Sequence, residues 1–150
     1  MTPETIFSIC NLAALLGWLL LIGAPRWRWT VRIVRAGILP MLLALVYLLL
    51  IVTSIGNVEG SFNSLAEVGR LFRNERLLLA GWVHYLAFDL FVGSWEVEDA
   101  SSRTLPHLLV MPCLALTFLL GPIGFLAYRL VAFSWDKWLK GMLRRMSARI

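Results

Sequence analysis

One stretch of the sequence decides the class of fold: residues 77–95 read LLLAGWVHYLAFDLFVGSW. This apolar segment is long enough to cross a bilayer as a helix, since about 20 residues with a rise of about 1.5 Å each suffice. Two titratable side chains, His84 and Asp89, lie inside it. A carboxylate near the bilayer centre costs on the order of 3 kcal/mol on insertion scales, so we expect it to face a protein-lined cavity.

The composition places the whole chain among integral membrane proteins. Of its 150 residues 59% are hydrophobic, the mean hydropathy is +0.77, and the apolar residues form long uncharged blocks. The net charge of +5 comes from basic residues that flank these blocks, which is typical of headgroup contacts rather than of nucleic-acid binding. Cys10 and Cys113 lie in apolar stretches and predict neither a disulfide framework nor a zinc site.

Hydropathy predicts an all-α, polytopic membrane protein with four transmembrane helices in a single domain, residues 1–150. The spans are expected at about residues 5–23, 36–55, 77–95 and 105–133. The fourth is longer than a straight crossing requires, so we expect it to tilt, kink or break. Gly121-Pro122 is the first weak point and Pro112 the second.

Two further segments have the pattern of amphipathic helices in the headgroup layer. Residues 64–74 begin with Ser64 and Glu67 at capping-box spacing, and apolar residues follow at helical intervals. Residues 135–149 place tryptophan, leucine and methionine on one face and basic residues on the other. We therefore expect the carboxy-terminal segment to lie on an anionic membrane surface.

The predicted orientation depends on where the basic residues fall. Four spans place both termini on one side, with nine Lys and Arg there and five opposite, which favours termini in the cytoplasm. The dense basic segment Arg26–Arg35, directly after the first span, argues for the reverse, but we keep the orientation with both termini in the cytoplasm, since the first helix often dominates the rule. Neither a cleavable signal peptide nor a plastid-targeting leader is evident, so we expect a protein of the bacterial inner membrane.

The helical period separates the polar side chains of the third span. Residues spaced by sevens form one slowly drifting line along the helix: Glu75, Trp82, Asp89 and Glu96. Tyr85 lies four residues before Asp89 on the same side. His84 is five residues from Asp89, about 140° away around an ideal helix. The two can serve one site only if the helix is central or locally distorted.

Each polar residue also has a purely structural interpretation. Asp89 could bond Tyr85 or a hydroxyl group of another helix and so specify packing, and a neutral His84 could donate to a backbone carbonyl in the bundle core. Glu75 lies near the membrane boundary among arginines, where a solvated ion pair is the default. Asn11 is a candidate for a hydrogen bond between helices. The sequence leaves these alternatives open.

Several kinds of chemistry lack support in the sequence. It contains no glycine-rich phosphate loop, no His-x-x-x-His pair and no serine elbow, so nucleotide chemistry, zinc proteolysis and acyl transfer are not predicted. Glu75, His84 and Asp89 do not converge on one ion from a single helix, so we predict no metal. A carboxyl group in an apolar site has its ionised form disfavoured and can act as an acid. The titratable residues thus favour proton transfer without a cofactor.

A set of motifs adds a resemblance to this picture. It consists of Phe72, Glu75, Trp82-Val83-His84, Asp89-Leu90-Phe91 and, after a spacer, Gly121-Pro122-Ile123-Gly124. Over residues 64–128 the chain thereby resembles the abscisic-acid-deficient-four-like family of small membrane proteins, which is linked to neoxanthin formation. The four-span pattern is consistent with it.

The resemblance implies work on an isoprenoid within the membrane. In the plant member the associated reaction converts violaxanthin to neoxanthin: an epoxide opens and an allene forms, so a proton is delivered to oxygen and one is removed from carbon, without a redox cofactor. By this analogy Asp89 or Glu75 is the acid and His84 the base. The candidate substrate-binding residues are Trp82, Tyr85, Phe88 and Asn11, the three aromatic ones lining a polyene slot.

The leading hypothesis is therefore an isomerase-type membrane protein that uses acid/base chemistry on a carotenoid-like or other isoprenoid lipid. The first alternative is a non-catalytic protein that binds such a lipid or assists a partner enzyme. The second is a small proton-coupled transporter in which Asp89 and His84 form the relay. The expected partners are membrane lipid, an isoprenoid and a second copy or a partner enzyme; nucleic acid is not expected.

Overall fold

The computed structural model describes residues 1–54, 56 and 59–147, with the backbone alone at 147, and this part of the chain is all-helical, as predicted. Its α-helices are α1 (Pro3–Gly23), α2 (Ile38–Ser54), α3 (Leu65–Leu71), α4 (Glu75–Ser102), α5 (His107–Leu120) and α6 (Pro122–Ser147). A π-helical segment, Thr30–Arg35, precedes α2. Residue 55 of the predicted second span and residues 148–149 of the predicted tail helix lie outside the described residues.

Short polar side chains set the start of three helices. Thr2 caps α1, and its hydroxyl group accepts a hydrogen bond from a backbone N–H of the first turn at 3.3 Å. Ser64 caps α3 and accepts from the N–H of Glu67 at 3.2 Å, which is the capping contact that the sequence predicted. Asn74 caps α4 and accepts from two backbone N–H groups at 3.0 and 3.3 Å.

α4 is the central helix, and α1 runs parallel to it. At 28 residues α4 is about 42 Å long. Asn11 in the first half of α1 bonds Trp82, and Trp18 further along packs over Gly93, where a Cβ atom would lie 2.6 Å from the indole. Residue numbers therefore rise together along the two helices.

α2 lies antiparallel to α4 on another side. Just before α2, Arg35 forms an ion pair with Glu98 near the end of α4. Further along α2, the ring of Tyr47 lies 5.4 Å from that of His84, near the start of α4. The connection that includes α3 then returns the chain to Glu75, so α2, α3 and the first half of α4 enclose one corner of the molecule.

The segment predicted as the fourth span is a pair of helices that turns in the middle of the bundle. The turn is Gly121, whose φ of +49° is a conformation that L side chains rarely adopt, and it lies against Asp89, halfway along α4. The break predicted at Gly121-Pro122 is confirmed. A single span over 105–133 is wrong, because hydropathy records the length of an apolar block and not its direction. α5 continues through Pro112.

The start of α5 and the middle of α6 lie near the ends of α1 and α4. His107 at the start of α5 donates through Nε2 to the carbonyl of Ile22, the last turn of α1, at 2.9 Å. Trp135 on α6 donates to the carbonyl of Arg103 at 3.2 Å. α6 then continues without a break to Ser147, so a separate helix beginning at 135 is wrong. The start of α1 and the end of α6 lie at opposite ends of the bundle, whereas four spans required both termini on one side.

α1 and α4 are the two described helices that are long and apolar enough to cross a membrane. α2, with 17 residues, and α5, with 14, are apolar but shorter. The outside of the bundle exposes many large apolar side chains, among them Leu12, Leu16, Leu19, Leu45, Leu48, Leu49, Phe88 and Phe91. A contiguous apolar surface of this kind marks contact with lipid or with a protein partner.

Candidate functional site

His84 projects from α4 toward α2. Its ring stacks on that of Phe88, with centroids 4.6 Å apart, and is tilted against the ring of Tyr47. The side chain of His84 is exposed. The interpretation of His84 as a histidine of the bundle core is therefore wrong, because the side chain is not buried.

A cavity of about 360 Å³ opens beside this histidine, between α2, α3 and α4. We call it the His84 cavity; its walls include Tyr47, Ile51, Phe62, Leu71, Phe72 and Gly81. Gly81 leaves room for Phe72, since a Cβ atom at Gly81 would lie 2.8 Å from the phenyl ring. Ser54 also lines the cavity, but its hydroxyl group donates to the carbonyl of Leu50 at 2.7 Å. His84 and Tyr47 are thus the titratable side chains of a largely apolar cavity, and His84 is the one that carries an imidazole.

A second apolar cavity continues along the same side of α4. It measures about 440 Å³ and is bounded by Pro40 and Met41 of α2 and by Phe88 and Phe91 of α4. The stacked rings of His84 and Phe88 lie between the two cavities. From Leu77 to Phe91 the two cavities follow α4 for about 21 Å, given a rise of about 1.5 Å per residue. The two cavities thus give this side of α4 an apolar lining over that length.

Two carboxyl groups lie on the opposite side of α4, against the α5–α6 pair, and they share one face as their spacing predicted. Glu96 is 0% exposed, and Thr117 donates to its Oε1 at 2.9 Å. Asp89 lies against the turn, where a Cβ atom at Gly121 would be 3.1 Å from Oδ1. Glu96 Oε2 and Asp89 Oδ2 are both buried and lack a hydrogen-bond partner among the described residues. Burying a polar group without a partner costs free energy, so we infer that close packing of α4 on the α5–α6 pair offsets this cost.

The glycine motif explains how the packing becomes so close. A Cβ atom at Gly124 would lie 2.0 Å from the backbone nitrogen of Thr117, so α5 and α6 touch backbone to backbone at this point. Tyr85 adds a contact from α4, because its hydroxyl group donates to the carbonyl of Phe118 at 3.1 Å. Gly121 and Gly124 thus place Thr117 where it can bond Glu96.

A cluster of hydrogen bonds and ion pairs that joins the end of α4 to α6 was not predicted from the sequence. Asp99 accepts hydrogen bonds from the hydroxyl group of Tyr128 at 2.6 Å and from Nε of Arg103 at 2.7 Å. Arg103 also pairs with Asp136. The hydrogen bond that Arg103 donates to Asp99 raises the pKa of Arg103 above its ordinary value. The i,i+4 spacing of Asp99 and Arg103 was the only signal of this cluster in the sequence.

Three candidate residues lie away from both the His84 cavity and the face of α4 that carries the two carboxyl groups: Glu75, Trp82 and Asn11. Glu75 is exposed in the first turn of α4, about 21 Å along the helix axis from Asp89. Trp82 donates through Nε1 to Oδ1 of Asn11 at 3.1 Å, so the hydrogen bond between helices that was predicted for Asn11 is present. Together with Phe7, Trp82 and Glu75 border a cavity of about 310 Å³ beside α1.

The candidate residues therefore fall into three separate places. His84 and Phe88 face α2, Asp89 faces the α5–α6 pair, and Glu75 and Trp82 lie beside α1. Their geometry forms neither a dyad of Asp89 and His84 nor a single slot lined by Trp82 and Phe88. Within the described residues, no three His, Cys, Asp or Glu side chains are placed to hold a metal ion.

Comparison with known proteins identifies a family. No curated protein and no solved structure matches the chain. A family model described as ABA DEFICIENT 4-like matches residues 5–128, from α1 to the contact of Tyr128 with Asp99 on α6. The match includes the His84 cavity, the two carboxyl groups and the glycine turn. The chain belongs to the ABA4-like family.

Proposed function

We propose that the chain is an integral membrane protein that binds a carotenoid-like or other isoprenoid lipid in the His84 cavity and isomerises it by acid/base chemistry. The observation that carries the proposal is the exposed imidazole in a largely apolar cavity. Membership of the ABA4-like family supports a carotenoid-related role. The protein acts without a redox cofactor, because an isomerisation leaves the oxidation state of the substrate unchanged.

The shape of the groove suits a polyene. An extended chain that enters between Phe62 and Phe72 passes the stacked rings of His84 and Phe88 and continues toward Phe91. Aromatic faces and aliphatic side chains bind such a chain by contact area, without hydrogen bonds. The polar end of the lipid then lies near the exposed side of α3.

One imidazole can carry out both proton transfers. His84 in its protonated form gives its proton to the oxygen of a strained ring such as an epoxide as the C–O bond breaks. The neutral imidazole then removes a proton from a neighbouring carbon as the new double bond forms, so that the protein ends in the state in which it began. Asp89, on the other side of α4, positions the α5–α6 turn and does not contact the substrate in this proposal.

The proposal also includes an arrangement in a bacterial inner membrane. α1, α2 and α4 cross the bilayer, and the α5–α6 pair enters it from the Arg103 end, turns beside Asp89 and leaves again. Backbone that is neither helix nor barrel is tolerated within a membrane where protein buries it. The turn at Gly121 meets that condition, because Gly121 is buried against α4.

The test is the pigment profile of a carotenoid-producing host, measured by chromatography with mass detection. The host expresses the unsubstituted chain, His84→Gln, Gly81→Val or no insert, and each variant is checked for its amount in the membrane. Gly81→Val fills the cavity, because the added side chain meets Phe72. We expect the unsubstituted chain to form a new isomer of unchanged mass, and both variants to reduce it at least tenfold.

Two matched controls accompany these variants. His107→Gln changes the other histidine of the chain, which bonds a carbonyl of α1 outside the cavity, and Gly69→Val adds a side chain on α3 where nothing lies within 4 Å. Both should keep the isomer. An unchanged yield from His84→Gln would contradict the role of His84. If a polyene co-purifies with the chain but no new isomer forms, the protein binds the lipid without isomerising it, and the proposed isomerisation is wrong.

A further inference from the structure

The two ends of the bundle differ in charge. We call the end at which α1 and α4 finish the basic end. Its cations without a carboxylate partner among the described residues are Arg26, Arg28, Arg32, Lys137, Lys140 and Arg145. The opposite end carries the three cations Arg70, Arg73 and Arg76 and the four carboxylates Glu4, Glu59, Glu67 and Glu75, so its side-chain charges nearly cancel. The positive charge of the molecule is therefore concentrated at one end.

The acidic side chains near the surface of the basic end already have partners. Glu98 pairs with Arg35, while Asp99 and Asp136 both pair with Arg103. These ion pairs connect α4 to the segment before α2 and to α6. Among the described residues these pairs occupy the carboxylates near the surface of this end, so the six cations named above are available to an external anion.

Aromatic rings lie beside several of these cations. Trp29 is 40% exposed, and its ring lies 5.1 Å from the guanidinium of Arg28 and 6.0 Å from that of Arg32. On α6 the ammonium of Lys137 lies 4.4 Å from the ring of Phe133. Tryptophan favours the membrane interface, and a cation beside a ring there keeps its charge in the headgroup layer.

We infer that the basic end is a binding surface for anionic phospholipid headgroups and faces the cytoplasmic leaflet. Charge complementarity carries this inference, since an anionic surface attracts clusters of lysine and arginine beside a membrane-embedded helix. The carboxy terminus is then cytoplasmic, and the amino terminus, which starts α1 at the opposite end, lies outside. This orientation follows the basic segment Arg26–Arg35 rather than the count made for four spans.

The orientation also places the His84 cavity. His84 is nine residues from the start of α4 and nineteen from Arg103, and the cavity is enclosed by Phe62 and Phe72 at the opposite end from the basic one. The cavity therefore lies in the half of the bundle that this orientation assigns to the outer leaflet. The inference rests on charge and is independent of the proposed chemistry, so either can fail alone.

The lipid test uses the full chain purified from vesicles of equal parts phosphatidylglycerol and phosphatidylcholine, with the retained lipid measured by mass spectrometry. A triple variant, Lys137→Gln, Lys140→Gln and Arg145→Gln, is compared with a matched triple at the other end, Arg70→Gln, Arg73→Gln and Arg76→Gln. We expect the first to lower the enrichment of phosphatidylglycerol at least threefold and the second to leave it unchanged. Equal enrichment in all three proteins, or an equal loss in both variants, would overturn the binding surface.

The orientation is tested separately with a protease-cleavable tag at each terminus of the full chain in intact spheroplasts. The amino-terminal tag should be removed by added protease and the carboxy-terminal tag should be protected until the cells are lysed. The same response from both tags, or the reverse pattern, would overturn the assigned orientation.

Discussion

The two sides of α4 hold their titratable residues in opposite ways. Toward α2, His84 is exposed in an open apolar cavity, and its described contacts are aromatic rings. Toward the α5–α6 pair, Glu96 is wholly buried and bonded to Thr117. We call these the open side and the closed side. The comparison indicates that a polar residue in an apolar helix has no single meaning: on the open side it can meet a ligand, and on the closed side it specifies how helices pack.

The closed side is stabilised by the close contact between α5 and α6. Two buried carboxylate oxygens lack partners there, and each unpaired group costs free energy. What offsets that cost is the backbone contact of Gly124 with Thr117 and the turn at Gly121. Changes on the closed side should therefore reduce the stability of the fold, and changes on the open side should reduce ligand binding.

The largest expected effect comes from Gly124→Ala. The added methyl group would lie 2.0 Å from the nitrogen of Thr117, so α5 and α6 must separate, and we expect a loss on the order of 3 kcal/mol in the free energy of unfolding. Denaturant titration in detergent measures it. Gly141→Ala is the control on the same helix, where nothing lies within 4 Å; it should be neutral or stabilise by up to about 1 kcal/mol. Equal effects of the two substitutions would contradict the close packing of α5 on α6.

A smaller effect is expected from Thr117→Val. The substitution removes the donor to Glu96 Oε1 and leaves the buried carboxyl group without a hydrogen bond, which should lower the free energy of unfolding by about 1–3 kcal/mol. In a Glu96→Leu background the same change should cost much less, because neither partner then remains. Thr53→Val is the control, since that hydroxyl group is exposed and bonds carbonyls of its own helix. An equal loss from Thr117→Val and Thr53→Val would show that the closed side does not depend on this bond.

Much of this division could be predicted from the helical period. Seven residues bring Glu96 onto the face of Asp89, and five residues turn His84 away from it. The same arithmetic separates Trp82 from Phe88, which are six residues apart, so a single slot lined by both was never compatible with a straight helix. The cap at Ser64 and the break at Gly121 were also predictable, because each depends on one residue and its neighbours.

The direction of the chain after the break could not be predicted. Whether α6 continues across the bundle or returns depends on the backbone of Gly121 and on distant contacts, such as His107 with Ile22 and Asp136 with Arg103. Hydropathy is the same in both cases. The His84 cavity is likewise a property of three helices, and no local pattern in the sequence announces that Phe62 and Phe72 enclose it.

The smallest expected effect concerns the side of α4 that faces α1, where Trp82 is 40% exposed and bonds Asn11 at 3.1 Å. A double-mutant cycle with Asn11→Ala and Trp82→Phe should give a coupling of about 0.6 kcal/mol, because groups in a membrane find other partners when a bond between helices is lost. Trp95→Phe replaces Trp82→Phe in the control cycle; this tryptophan packs on Phe125 and Tyr128 instead, so its coupling to Asn11 should be near zero. A coupling of several kcal/mol between Asn11 and Trp82 would mean that the side facing α1 is closed like the one that holds Glu96. The weak coupling expected here would show that the fold depends less on the contact of Asn11 with Trp82 than on the buried contact of Thr117 with Glu96.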